Sequence, residues 1–165
     1  MLVGVPKEIK KFESRVGLTP TSVGELIARG HSVIVETGAG LGIDASDEAY
    51  RAAGAKIAMA AQEIFELADL IIKVKEPQKS EWSLLRANQI LFTYLHLAAD
   101  REQARGLMMS GCTAIAYETV TDEQNGLPLL APMSEVAGRL AVIEGAACLK
   151  TNSGGRGLLI SGVPG

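Results

Sequence analysis

Short apolar runs alternate with amphipathic segments along most of the chain, and this alternation dominates its pattern of hydrophobic and polar positions. Apolar runs bounded by proline, glycine or polar residues predict strands, whereas an apolar spacing of three to four residues predicts helices. Strands are predicted at Leu2–Val5, Ser32–Glu36, Lys56–Ala58, in LIIKVKEP from Leu70, in ILFTYLHL from Ile90, and at Thr113–Tyr117. The alternation favours an α/β fold with a Rossmann-like open, mainly parallel sheet flanked by helices.

Capping residues and glycines mark the predicted helix ends. Thr19 or Thr21 is a candidate N-cap for a helix that stops at Gly30, and Ser46 is one for a helix with acidic residues in its first turn. Further helices are predicted around Gln62–Ala68, in REQARGLMMS before Gly111, and in MSEVAGRLAVIEGAACL with Ser134 as N-cap. The segment between LIIKVKEP and ILFTYLHL is long enough for one crossover helix, which would complete a parallel βαβ unit.

The glycine-rich segment TGAGLG, Thr37–Gly42, follows a predicted strand, as dinucleotide-binding turns do. Its spacing is not G-x-G-x-x-G, however, and the next predicted helix starts several residues later. We therefore interpret it as a tight turn. The later segment GGRGLLISG has no preceding strand and is interpreted as a flexible connection.

Composition narrows the classes of function. A chain of 165 residues fits one domain, and a net charge of −3 leaves no basic footprint for nucleic acid. No run of about 18 uncharged apolar residues occurs, so no membrane span is expected. Cys112 and Cys148 lie in apolar segments and cannot form a metal site by themselves. We expect no metal, buried inert thiols and a reduced, cytoplasmic protein.

Four ionisable residues follow predicted strands or lie in the loops beyond them: Arg15, Lys75, His96 and Glu118. Because open parallel sheets bind ligands beyond the carboxyl ends of their strands, Lys75 and His96 should share a cleft. A guanidinium suits bidentate capture of a carboxylate, a lysine can polarise a carbonyl oxygen, and a histidine can transfer protons near neutral pH. Together they fit a small anionic carbonyl compound such as a 2-oxo acid. Each could instead be a surface charge or a satisfied donor, and His96 could be a histidine at the core edge.

The predicted N-terminus of the last long helix offers a second candidate site. Exposed N–H groups and the helix dipole attract phosphate at such a terminus, and Ser134 would lie there. Ser134 is therefore a candidate nucleotide contact, and the alternative is an ordinary N-cap. The same helix carries an apolar stripe that favours a homo-oligomer. Its members are Val136, Leu140, Ile143, Ala147 and Cys148.

Five motifs occur in order: MLVGVPKEIKKFESRVGLTP, LIIKVKEP, LFTYLHLAADR, AIAYETV and PMSEVAGRLA. They resemble alanine dehydrogenase, a family that shares its architecture with the nucleotide-binding part of proton-translocating transhydrogenase. The resemblance covers nearly the entire chain. It implies an enzyme that uses NAD to convert L-alanine reversibly to pyruvate and ammonium, and a homo-oligomer, which is a hexamer in the family.

The resemblance also implies a role for each matching residue. Arg15 would bind the substrate carboxylate, and Lys75 would contact the substrate. His96 would be the general acid and base, and Ser134 would contact the nucleotide.

The chain departs from the family pattern by stopping before the glycine-rich dinucleotide fingerprint and the second catalytic group, an aspartate. The C-terminal segment that completes the family's substrate domain is also absent. The resemblance therefore implies a catalytic and substrate domain in residues 1–130. Residues 131–165 would form an interdomain helix and the start of a linker to a missing NAD-binding domain. We expect the chain alone to be inactive.

Two other interpretations stay open. The chain could be a fragment of a transhydrogenase α-subunit, which would bind NAD(H) without oxidising a small substrate. It could also be a stand-alone binding module for pyruvate-like anions.

Overall fold

The six predicted strands pair side by side in one parallel sheet. The computed structural model describes residues 1–162. Its strands are β1 (Leu2–Val5), β2 (Ser32–Glu36), β3 (Lys56–Ala58), β4 (Leu70–Ile72), β5 (Ile90–Thr93) and β6 (Thr113–Ala116). The strand order is β3-β2-β1-β4-β5-β6, and every neighbouring pair is parallel. This is the doubly wound order, so the predicted Rossmann-like α/β fold is confirmed.

Helices cover both faces of the sheet. They are α1 (Pro20–Ala28), α2 (Asp47–Ala52), α3 (Ala61–Leu67) and α4 (Arg101–Ser110). Side chains of α1 and α2 share one buried cluster with Val33 and Val35 of β2. Ile34, between those two valines, belongs to the opposite cluster, which includes residues of α3 and α4. The alternation along β2 shows why a fully buried strand reads as a continuous apolar run.

Most predicted helix ends are confirmed. Thr19 caps α1, and its side-chain oxygen accepts the N–H of Ser22. Ser46 caps α2 in the same way, and Gly111 ends α4 in the left-handed conformation.

The predicted crossover helix between β4 and β5 is wrong. The connection contains a single 3₁₀ turn, Trp82–Leu84. Just before that turn, Glu81 accepts hydrogen bonds from the side chain of Lys73 (2.9 Å) and from the N–H of Gln78 (2.7 Å). A buried ion pair therefore folds this segment back, so an amphipathic helix is not needed there.

The chain forms two compact units, Met1–Glu118 and Thr119–Gly165. The second unit contains helix α5, Ala131–Cys148. The family resemblance predicted a domain boundary after residue 130, twelve residues beyond the division at Glu118. The turn at Asp122–Gly126 and the bond from the N–H of Ala131 to the carbonyl of Leu127 are formed within the second unit.

The two cysteines are more exposed than the sequence predicted. Cys112 is only partly buried and Cys148 is exposed, so the prediction of two buried thiols is wrong. Within residues 1–162, no helix has the length and apolar character needed to cross a membrane.

Candidate active site

The centre of the sheet, between β1 and β4, is the point where the strand order reverses. Doubly wound sheets bind ligands in the crevice at this switch point, beyond the carboxyl ends of the strands. Arg15 lies in the connection that follows β1, and Lys75 lies three residues after β4 ends. His96 follows β5, the neighbour of β4. All three predicted residues therefore lie in segments that follow the carboxyl ends of strands, where a ligand is expected.

Two close backbone contacts hold the Arg15 loop in place. A Cβ on Gly17 would lie 2.6 Å from the carbonyl oxygen of Ile72, and a Cβ on Gly42 would lie 2.1 Å from that of Ser14. Any side chain at these positions would push the loop away from β4 or from the TGAGLG turn. Gly42 of TGAGLG thus allows the close packing of the neighbouring Arg15 loop.

The TGAGLG turn already binds a carboxylate of the protein itself. The Thr37 hydroxyl donates to Asp47 Oδ2 (2.6 Å), and the N–H of Gly38 donates to Asp47 Oδ1 (2.8 Å). These hydrogen bonds, first that of Thr37 and then that of Gly38, lower the pKa of Asp47. A pyrophosphate would compete with an ionised aspartate for these donors. The structure therefore supports the interpretation of TGAGLG as a turn and argues against a dinucleotide site there.

Arg15 forms a tight ion pair with Glu13. Its Nε lies 2.8 Å from Glu13 Oε1 and its Nη2 lies 2.6 Å from Oε2, while its backbone N–H also donates to Oε1 (2.8 Å). The side chain of Glu13 is only 7% exposed, whereas that of Arg15 is 47% exposed. The side-chain hydrogen bond from Arg15 is the main reason that the pKa of Glu13 falls to about 2. The same bond raises the pKa of Arg15.

Lys75 and Arg15 act on the same carboxylate. The charge of Lys75 adds to that of Arg15 in lowering the pKa of Glu13. Opposite charges shift a pKa in this way when they are close. Lys75 thus acts on the charge of Glu13 alongside Arg15, and the sequence interpretation did not identify Glu13.

His96 lies in an unusual backbone conformation. Its φ of 49° and ψ of 37° are left-handed, which is uncommon for a residue other than glycine. Its N–H donates to Glu118 Oε1 (2.7 Å), and the N–H of Leu95 lies 3.1 and 3.2 Å from the two oxygens of Glu118. Burial acts to raise the pKa of Glu118, but these backbone hydrogen bonds outweigh it, and the pKa is lowered. An ionised Glu118 therefore holds the turn that presents His96.

Aromatic rings connect His96 to the Arg15 side of the site. The His96 imidazole is stacked with Tyr94, with centroids 6.1 Å apart, and Tyr94 meets the Tyr117 ring edge-on at 5.0 Å. Tyr94 is also among the groups that raise the pKa of Arg15. Burial, and then the neighbouring Tyr94 and Glu8, raise the pKa of Tyr117. The period-two spacing of Tyr94 and His96 in the predicted strand is the signal that would have indicated their stacking.

A buried charged cluster lies next to the turn that carries Lys75, and the sequence interpretation also missed it. Lys73 is fully buried, with Nζ 2.9 Å from Glu81 Oε1 and 3.3 Å from Glu8 Oε2. The sequence does contain an indication of this cluster. Lys73 lies within the apolar run LIIKVK, and a lysine in a buried run must have charged or polar partners.

Ser134 does not cap α5. The helix begins at Ala131 after Leu130, so the predicted N-cap is wrong. The N–H groups of Met133 and Ser134 both donate to the carbonyl of Leu130 (3.0 Å each), and the N–H of Ala131 donates to Leu127 (2.8 Å). These groups are therefore engaged within the chain and do not form the anion site that the sequence suggested. A contact between the Ser134 hydroxyl and a nucleotide stays a prediction.

A family model and several curated proteins match this chain. The family model described as "Alanine dehydrogenase/PNT, N-terminal domain" matches residues 4–137. Two curated alanine dehydrogenases, from Methanococcus maripaludis and Bacillus subtilis, are each 53% identical over all 165 residues, which correspond to 44% and 43% of their lengths. The chain thus spans less than half the length of these relatives.

Solved structures agree with these sequence matches. A structure titled "L-alanine dehydrogenase" matches 99% of this chain and 45% of its own, with a TM-score of 0.86 and 51% identity. A transhydrogenase structure from Sinorhizobium meliloti matches 91% of this chain and 45% of its own, with a TM-score of 0.77 and 29% identity.

Proposed function

Because the chain belongs to the alanine dehydrogenase/PNT family through its N-terminal domain, we propose that it is the substrate-binding part of an L-alanine:NAD oxidoreductase. The proposed reaction is the reversible oxidative deamination of L-alanine to pyruvate and ammonium. The observation that carries the proposal is that Arg15 and Lys75 follow β1 and β4, the two strands at the switch point of the sheet.

Each residue has a chemical task in this proposal. The Arg15 guanidinium binds the substrate carboxylate, and the Lys75 ammonium binds and polarises the adjacent carbonyl oxygen. His96 acts as general acid and base, moving a proton at that oxygen while water and ammonia exchange at the carbon. Glu118 holds the backbone of His96 for this task.

The described residues do not fit a complete NAD site. The donors of TGAGLG are engaged by Asp47, and the N–H groups at the start of α5 are engaged by the chain. NAD accepts hydride from the substrate carbon when it is bound. We propose that Ser134 contributes one contact to it. The others would come from the portion of the relatives' length that this chain does not span.

The first test of the proposal uses the purified chain alone. With saturating alanine and NAD at alkaline pH, we expect no NADH formation, because hydride transfer needs a nicotinamide held against the substrate. Turnover of about 1 s⁻¹ or above, an ordinary enzyme rate, would contradict this expectation.

The second test restores the missing portion. This chain is fused to the C-terminal part of the Bacillus subtilis alanine dehydrogenase, beyond the matched region. We expect alanine-dependent NADH formation. His96→Ala should lower kcat by about 10²–10⁴-fold, and Arg15→Ala should raise KM roughly tenfold to a hundredfold. NADH binding by the purified chain, together with no alanine-dependent NADH formation by the fusion, would instead favour the transhydrogenase interpretation. Pyruvate binding without any redox activity would favour the stand-alone binding module.

We also propose a homo-oligomeric assembly in a reduced, cytoplasmic setting. Large apolar side chains of α5 are exposed, among them Val136, Leu140 and Ile143. Both cysteines are free thiols, as expected of a protein in a reducing compartment.

A further inference from the structure

The buried cluster of Glu8, Lys73 and Glu81 has one ammonium and two carboxylates. The three side chains are 3%, 0% and 4% exposed in that order. Taking these charges out of water is costly, so a buried cluster of this kind is weak evidence for stability alone. The role of each carboxylate is therefore indicated by the backbone N–H groups that it binds in addition to Lys73.

The two carboxylates hold different parts of the chain. Glu81 Oε2 accepts the N–H of Gln78 (2.7 Å), within its own connection. Glu8 Oε1 accepts the N–H of Val74 (2.6 Å) and of Lys75 (3.2 Å), 66 and 67 residues further along the chain. Glu8 therefore ties the segment after β1 to the turn that carries Lys75.

The position of Glu8 also agrees with a role next to the site. Burial raises its pKa, and the Lys73 charge and the two backbone N–H groups oppose that shift. The charge of Glu8 also contributes to raising the pKa of Arg15 and of Tyr117. Lys73 holds one oxygen of Glu8, which leaves the other directed at the Lys75 turn.

We propose that Glu8, anchored by Lys73, is a positioning residue that fixes the Lys75 turn for binding of the substrate oxygen. The inference rests on the proposed function, because it assumes that Lys75 binds a pyruvate-like anion. Glu8 itself makes no contact with the substrate in this proposal. It acts through the backbone of Lys75.

Glu81 provides a matched control. Glu8→Gln and Glu81→Gln each remove one buried carboxylate that pairs with Lys73, but of these two residues only Glu8 accepts the N–H of Lys75. A glutamine amide has one acceptor atom, so it cannot serve both Lys73 and the backbone N–H groups. Glu8→Asp keeps the charge and shortens the reach, which provides a second variant if Glu8→Gln does not fold.

The experiment measures pyruvate binding to the 165-residue chain by NMR titration, together with amide hydrogen exchange at Lys75 and thermal unfolding. We expect Glu8→Gln or Glu8→Asp to weaken pyruvate binding about tenfold and to speed exchange at Lys75. Glu81→Gln should leave both within about twofold, even where its Tm falls equally. Lys75→Ala should also weaken pyruvate binding.

Equal effects of the Glu8 and Glu81 variants, or unchanged exchange at Lys75 in the Glu8 variants, would overturn the positioning role. A lack of pyruvate binding by the unmodified chain would instead contradict the proposed substrate site. Exchange at Lys75 would then still show whether Glu8 holds the turn.

Discussion

Arg15 meets its ion-pair partner only two residues away, at Glu13. The pair sets the orientation of the guanidinium before any ligand arrives, and the largely buried Glu13 carboxylate keeps its charge because Arg15 is beside it. Because Glu13 accepts hydrogen bonds from Nε and Nη2, a substrate carboxylate must compete with Glu13 for these donors or bind to other N–H groups of the guanidinium. Glu13 is therefore part of the site although no substrate role is assigned to it.

The pH dependence of stability should report on this pair. The pKa of Glu13 lies at about 2 in the folded chain, below its ordinary value of 4.5. The ionised form therefore stabilises the fold fully above about pH 4.5, and that contribution is lost as the pH falls towards 2. Because Arg15 is partly exposed, we expect Glu13→Gln to cost only on the order of 1 kcal/mol at pH 7. Urea unfolding between pH 3 and 7 should show the difference from the unmodified chain shrinking towards acid, and a constant difference would contradict the assignment.

The sequence could predict which residues approach the site but not which groups hold them. Arg15, Lys75 and His96 follow from the rule that ligands bind beyond strand ends. Their partners depend on three-dimensional packing. Glu8 acts on residues more than 60 positions away, and Glu118 reaches across from the end of β6. Nothing in local spacing distinguishes these carboxylates from solvated ones.

At the level of elements, the strands were predictable because buried parallel strands are short apolar runs, and β1, β2 and β3 match their predicted ranges. The errors occur where tertiary contacts override local pattern. The connection before β5 is folded by the Lys73–Glu81 pair instead of a helix. Helix α5 begins three residues before its predicted cap, because Leu127 and Leu130 accept the first N–H groups.

Two glycine substitutions should have opposite effects. Gly42→Ala places a methyl group 2.1 Å from the carbonyl oxygen of Ser14, so the Arg15 loop must move. We expect a Tm lower by several degrees and weaker pyruvate binding. Gly24→Ala is the control, because its Cβ would meet nothing within 4 Å and it lies inside α1. It should stabilise the chain by about 0.5–1 kcal/mol and leave binding unchanged. Equal behaviour of the two variants would show that the close contact at Gly42 is unimportant.

At the level of the whole molecule, the proposed assembly can be tested through α5. We expect sedimentation of the chain at micromolar concentration to show an oligomer, because the helix exposes large apolar side chains. The double variant Leu140→Glu and Ile143→Glu should lower the sedimenting mass. Met108→Glu should not, since Met108 is even more exposed than Leu140 and Ile143 but belongs to α4. A monomeric unmodified chain would contradict the proposal.

The strand order also bears on how the protein is made. Of these six strands, β1 is synthesised before the others and lies inside the sheet, with β2 and β3 on one side and β4, β5 and β6 on the other. As the ribosome adds residues at roughly 5–20 per second, each strand that emerges finds an edge left by an earlier one. Growth proceeds outward first in one direction and then, from β4 onward, in the other. The sheet can thus assemble during translation in the order of its codons, and no strand has to insert between two that are already paired.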